Sequence, residues 1–189
     1  MRGITKRFPG VLALDEVDLD VRAGEVHLLL GENGAGKSTL MKILSGACAR
    51  DAGTIAISGE PVEIPNPHRA QELGISMIYQ ETNLVPTLSA AENIFLGRER
   101  SRFGFVLRAA MERDARVLLR RLHAGFEPST PVRNLPASRQ QLVEISKALS
   151  LNARIIIMDE PTAPLSQREV KDLFRVVRSL KRAGVAIIY

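Results

Sequence analysis

Glu25-Val26-His27-Leu28-Leu29-Leu30-Gly31-Glu32-Asn33-Gly34-Ala35-Gly36-Lys37-Ser38-Thr39-Leu40-Met41-Lys42-Ile43-Leu44 holds three kinds of pattern in twenty residues. The first six are nearly continuous apolar, which predicts a buried strand of a parallel sheet. The last five place Leu40, Met41, Ile43 and Leu44 at helical spacing, with Gly46 as the stop. Between them, Gly31 through Ser38 fits G-x-x-x-x-G-K-[S/T]. Glycines let successive backbone N–H groups turn inward around phosphate oxygens, and the following helix adds its positive N-terminal end. In such a loop Lys37 reaches β- and γ-phosphates, the Ser38 hydroxyl ligates magnesium, and Thr39 bonds the α-phosphate. A glycine-rich turn with a chance lysine is the plain alternative. The strand before it and the helix after it argue against that.

On either side the chain keeps alternating strand and helix. Val17–Val21 alternates apolar and acidic residues like a half-exposed strand. Further strands are expected at Thr54–Ser58, Ile75–Ile78, Arg154–Met158 and Val185–Tyr189, with a helix over Gln167–Arg182. This order predicts an α/β fold with a mostly parallel sheet. From Thr87 to Ile145 strand signals are weak, and Met111, Ala115, Leu118 and Leu122 share one helical face. We expect residues 87–145 to be a helical subdomain inserted between core halves 1–86 and 146–189.

The second chemical signal is Ile155-Ile156-Ile157-Met158-Asp159-Glu160. A buried strand ending in two carboxylates puts them where an α/β sheet places its site. Asp159 would hold magnesium through water, and Glu160 would orient and deprotonate an attacking water. Taken alone, such a pair is more often a helix cap. Its coupling to the phosphate loop changes that.

Bulk properties set outer limits. The chain has 189 residues, 45% of them hydrophobic and 25% charged, as in ordinary soluble domains. Its apolar runs are too short to span a bilayer, and no apolar segment follows the basic start as a signal peptide would require. One cysteine, Cys48, excludes an internal disulfide framework and fits a reducing compartment, with cytoplasm the default. The net charge of +5 is local: between Arg98 and Arg121 eight arginines stand against Glu99, Glu112 and Asp114. A basic helical segment of this kind suits anionic lipid or an acidic partner, although a solvated helix face is the commoner meaning.

Five segments together resemble the ATP-binding subunit of ABC transporters, and within it the sugar-import branch: GENGAGKSTLMKILSGA, MIYQE, NLVPTLSAAENIFLGRE, QQLVEISKALS and MDEPTAPLS. The similarity covers essentially the whole chain and implies a P-loop NTPase core with ATP and Mg2+ as cofactors. It implies that Gln80 contacts magnesium and the attacking water, that Phe8 stacks on adenine, and that Ala163–Ser166 touches a second nucleotide-binding domain. Transmembrane permease subunits, a second such domain (as homo- or pseudo-dimer) and, indirectly, an extracytoplasmic solute-binding protein are the implied partners. The implied place is the cytoplasmic face of the cell membrane, as a peripheral protein.

Two departures stand beside the matches. The family signature, usually Leu-Ser-Gly-Gly-Gln, falls on Leu135-Pro136-Ala137-Ser138-Arg139. Its serine normally bonds the γ-phosphate of the opposite subunit. Pro136 has neither a hydroxyl nor an N–H, and Ala137 and Ser138 crowd positions where glycine allows close approach. Arg139 supplies charge in a different geometry. The family's switch histidine follows the strand that is here Val185–Tyr189. None of His27, His68 or His123 is placed to substitute, so the resemblance implies an incomplete domain.

The expected function is therefore ATP binding and hydrolysis energising import of a sugar-like solute, with Lys37 and Glu160 as catalytic residues. A nucleotide-binding module with little or no turnover is the first alternative. A soluble ABC-type ATPase acting on nucleic acid or ribosomes is the second, supported only by the arginines between 98 and 121.

Overall fold

A computed structural model describes residues 1–32, 34–79, 83–159 and 167–189, the side chains of Arg168 and Glu169 apart. The chain opens with β1 (Arg2–Phe8) and β2 (Val11–Val17), then the short β3 (Val26–His27) and α1 (Lys37–Leu44). Next come β4 (Ala52–Thr54), β5 (Ala56–Ile57), β6 (Glu60–Pro61), α2 (Pro67–Glu72) and β7 (Ile75–Ile78). The middle holds α3 (Ala90–Ile94), the hairpin of β8 (Ser101–Arg102) and β9 (Phe105–Val106), α4 (Arg108–Arg121) and α5 (Ala137–Ser150). β10 (Ile155–Met158), α6 (Gln167–Arg182) and β11 (Ala186–Ile188) follow.

The molecule is α/β. Its parallel sheet runs β3-β11-β10-β7, with Ile155 opposite Ile75 and Ala186. Both faces of this sheet are covered, as its unbroken apolar strands require. Ile156 and Ile187, both at 0% exposure, join Leu173, Val176, Val177 and Leu180 of α6 and Ile145 and Leu149 of α5. Ile157 and Ile188 point the other way, into Leu40, Met41, Ile43 and Leu44 of α1 and Ile4 and Leu14 of the antiparallel sheet β2-β1-β4. The period of two along each strand thus builds two cores from one sheet. A third cluster joins α3, α4 and the first half of α5 through Ala91, Ile94, Ala115, Leu119 and Val143.

Four expectations need correction. The strand expected over Thr54–Ser58 is two short strands in different sheets, β4 ending at Thr54 and β5 holding only Ala56–Ile57. Residues 18–21, expected to form a strand with Val17, do not; β2 ends at Val17. The segment still lies beside β1, with Met1 and Leu19 exchanging backbone bonds at 2.8 and 3.1 Å. Asp18 Oδ1, however, accepts the Gly3 N–H at 2.7 Å, so a side chain takes a donor that a ladder would need. The strand before the phosphate loop is not buried throughout: Leu28 is 53% and Leu30 81% exposed. It is the edge strand of the parallel sheet, paired only with β11 among the described residues. Finally, the weak strand signal after Leu96 conceals a hairpin, whose Phe103-Gly104 turn has φ of +52° and +82°. Two positive φ values match the twist of paired strands, and Gly104 accommodates one of them freely.

Candidate functional site

The phosphate loop is set by glycine geometry. Gly36, at φ +84°, is the N-cap of α1 and accepts the Leu40 N–H at 2.9 Å. A Cβ here would lie 2.5 Å from the Ala13 carbonyl oxygen, so β2 leaves room for hydrogen alone. Gly34 has φ +85° with nothing within 4 Å, so its constraint is conformational only. Lys37 Nζ donates to the carbonyls of Gly31 at 2.6 Å and Glu32 at 2.8 Å, which fixes the ammonium at the loop's mouth. No side chain caps α1 and no acid sits in its first turn, so the N–H groups that begin the helix keep their positive end.

Gly31, Gly34, Gly36 and Lys37 line a cavity of about 480 Å³ together with Ser38, Thr39 and, from the end of β10, Asp159. The Asp159 N–H bonds the Ile78 carbonyl at 3.1 Å, which fixes the backbone that carries its carboxylate. Sheet pairing brings loop and acid together: Leu29 N–H bonds Tyr189 O at 2.8 Å, and β11 in turn pairs with β10. A hydroxyl and one carboxylate facing a polyphosphate cradle form a donor set that suits magnesium, which ordinarily keeps waters and phosphate oxygens for its other positions. Among the described residues no cluster of three His, Cys, Asp or Glu side chains is placed to hold a metal by itself.

The other expected residues fall in three groups. Gln80, Asn33, Glu160 and Ala163–Ser166 lie outside the described residues. Phe8 is 44% exposed at the end of β1, with Lys6 Nζ 5.5 Å from its ring centre. It borders the turn before Val11 and Leu12 but is not itself among the residues lining the cavity. Leu135 is buried, Pro136 is the N-cap of α5, and Ala137 is the first residue of that helix. Ser138 and Arg139 line a separate cleft of about 240 Å³ against α6, with the Arg139 guanidinium 5.9 Å from the Phe126 ring. The histidines are occupied locally: His27 with Glu25 at 3.0 Å, His68 with Glu72 at 3.3 Å, and His123 in a left-handed turn after α4.

Two contributions escaped the sequence reading. Val11, Leu12 and Ala13 form an apolar wall of the cavity. The only hint was an apolar triplet just after Pro9-Gly10. Glu144 on α5 accepts the Asn83 N–H at 2.9 Å, just beyond Gln80 in sequence, and burial pushes its carboxyl above the usual range. Nothing in a helical pattern marks such a residue.

Comparison with known proteins agrees with this geometry. Residues 14–163 match the sequence model of the ABC transporter family. The chain is 62% identical over 189 residues to the ribose import ATP-binding protein RbsA 1 of Rubrobacter xylanophilus. It is 57% identical to the ribose import ATP-binding protein RbsA 2 of Streptomyces coelicolor. All of the chain is covered in both cases, but only 38% and 37% of the relatives, so it spans less than two-fifths of their length. Among solved structures, an ATP-binding cassette of an ABC transporter in its ADP conformation superposes with a TM-score of 0.87 at 27% identity, over 99% of this chain and 78% of that one. A nucleotide-free cassette gives 0.85 at 26% identity. The phosphate loop, the acid at the end of β10 and these likenesses converge: the chain belongs to the ABC transporter family and has the fold of its ATP-binding cassettes.

Proposed function

We propose that this chain binds Mg-ATP and hydrolyses it to drive import of a sugar-like solute through permease subunits. The carrying observation is the single cavity that Lys37, Ser38, Thr39 and Asp159 line at the C-terminal ends of the parallel strands. The names of its relatives, ribose import ATP-binding proteins, favour a sugar over the nucleic-acid reading. Adenine would lie toward Val11 and Leu12 with Phe8 above it, and the phosphates would lie in the loop from Gly31 to Ser38.

In this reading the N–H groups of Gly34, Ala35 and Gly36 receive phosphate oxygens, with Lys37 Nζ bridging β and γ. Ser38 Oγ and Asp159, with Gln80, would hold magnesium, which when bound would supply charge neutralisation on the phosphates. Glu160 takes a proton from water as its oxygen bonds to the γ-phosphorus, and the bond from that phosphorus to the bridging oxygen breaks to release ADP. Residues 87–145 act as the helical subdomain. Its signature at Leu135–Arg139 serves a second cassette, which accords with Ser138 and Arg139 lining a different cleft from the phosphate loop.

Glu160→Gln tests the reading. Steady-state phosphate release should fall by at least about a hundredfold, the scale of a lost general base, while Mg-ATP binding persists. Parental turnover in that variant would remove Glu160 from the mechanism.

A further inference from the structure

The basic stretch between Arg98 and Arg121 is not one helical face. Arg98 and Arg100 precede the β8–β9 hairpin, Arg102 lies in it and the other five are on α4; the hairpin tip exposes two of the chain's six phenylalanines. Phe103 is 86% and Phe105 77% exposed, and Val106 and Leu107 continue the apolar surface at 47% and 40%. A hairpin of two rungs, Ser101 with Val106 and Arg102 with Phe105, has no second layer to bury those rings against. Contiguous apolar exposure of this kind marks an interaction surface.

Charge says what covers it. The eight arginines of the segment meet Glu99, Glu112 and Asp114 within it and Glu92 and Glu127 across contacts of 3.4 and 2.9 Å, which leaves a positive surplus. Arg98 is absorbed internally by Ile94 O and Ser150 Oγ, and Arg100 by Asp114. Arg102 has no carboxylate partner among the described residues. Its guanidinium lies 5.2 Å from the Phe103 ring centre, so the charge and the ring share one tip. The surface is an exposed turn, which suits a soft surface that closes around it better than a groove.

We propose that the β8–β9 hairpin contacts the interfacial zone of an anionic lipid bilayer. Phe103 and Phe105 enter the boundary between headgroups and acyl chains, while Arg102 stays among phosphate headgroups. Arginine with aromatic rings is the combination that partitions to this zone, and the anionic surface attracts the basic surplus. Two rings give weak, reversible contact that orients an already assembled protein. The inference does not depend on ATP turnover.

The chain contains no tryptophan, so Phe103→Trp provides a single reporter. With vesicles of mixed phosphatidylglycerol and phosphatidylcholine at about 0.1 M salt, its emission should shift to the blue and be quenched by brominated acyl chains. Phosphatidylcholine alone should give on the order of tenfold weaker partitioning. Adding Phe105→Ala and Arg102→Gln to the reporter chain should weaken anionic partitioning on the order of tenfold, with Mg-ATP affinity unchanged. Unshifted emission on anionic vesicles, a shift without acyl-chain quenching, or equal partitioning of the triple variant would each overturn the proposal. An acidic protein partner would show the first of these outcomes.

Discussion

Two glycines of the phosphate loop share a positive φ yet carry different constraints. Gly34 at +85° faces open space, so alanine there meets only the left-handed penalty, about 1–2 kcal/mol. Gly36 at +84° also faces the Ala13 carbonyl at 2.5 Å and Leu14 Cδ2 at 2.7 Å from a built Cβ. Gly36→Ala should therefore destabilise the chain by roughly 2–4 kcal/mol, clearly more than Gly34→Ala. Denaturant unfolding of the two variants checks this, and equal losses would mean that the close approach of β2 to the loop is unimportant. The same contact explains why β2 forms one wall of the cavity: the strand must pass close to the loop for Ala13 to lie there.

At the level of elements, the antiparallel sheet is held by exposed acids that take backbone donors. The Gly3 N–H holds the Asp18 carboxyl below its usual range, with Arg2 adding attraction. Lys6, then the Arg7 N–H, does the same for Asp51, which ties β1 to the start of β4. Because both folded values are depressed, this stabilisation is complete above the ordinary carboxylate range and is lost as pH falls through the folded values. The thermal midpoint should be nearly flat from about pH 7 to 5 and fall below about pH 4. Asp18→Asn with Asp51→Asn should make that fall shallower. An unchanged acid limb in the double variant would place the acid sensitivity elsewhere. Strands outside the parallel sheet were also the hardest to read in sequence. The strands Ile75–Ile78 and Ile155–Met158 and the helix Gln167–Arg182 announce themselves, because apolar runs and a 3.6 period reflect burial directly. The strand expected at 17–21 fails because Asp18 competes with the ladder, and β8–β9 is hidden because Phe103-Gly104 replaces the usual Asn-Gly turn. The phosphate loop and Asp159 were legible from spacing. The wall from Val11 to Ala13 and the Glu144–Asn83 bond depend on tertiary approach, which no local pattern encodes.

For the whole molecule, one sheet organises everything. Its two faces anchor α1 on one side and α5 and α6 on the other, and the C-terminal ends of its strands open the cavity. Among the described residues no helix is long and apolar enough to cross a membrane. The proposed lipid contact of the hairpin would orient the cassette against a bilayer surface. All of this rests on polyphosphate recognition by the loop between β3 and α1. Calorimetric titration of the folded chain with ATP and magnesium, beside Lys37→Ala, tests it most directly. The account predicts saturable one-to-one binding that weakens at least about tenfold in the variant, as loss of a charge-assisted contact should, and weakens in the parent when magnesium is chelated. Equal affinity in the two proteins, or no binding by the folded parent, would contradict it.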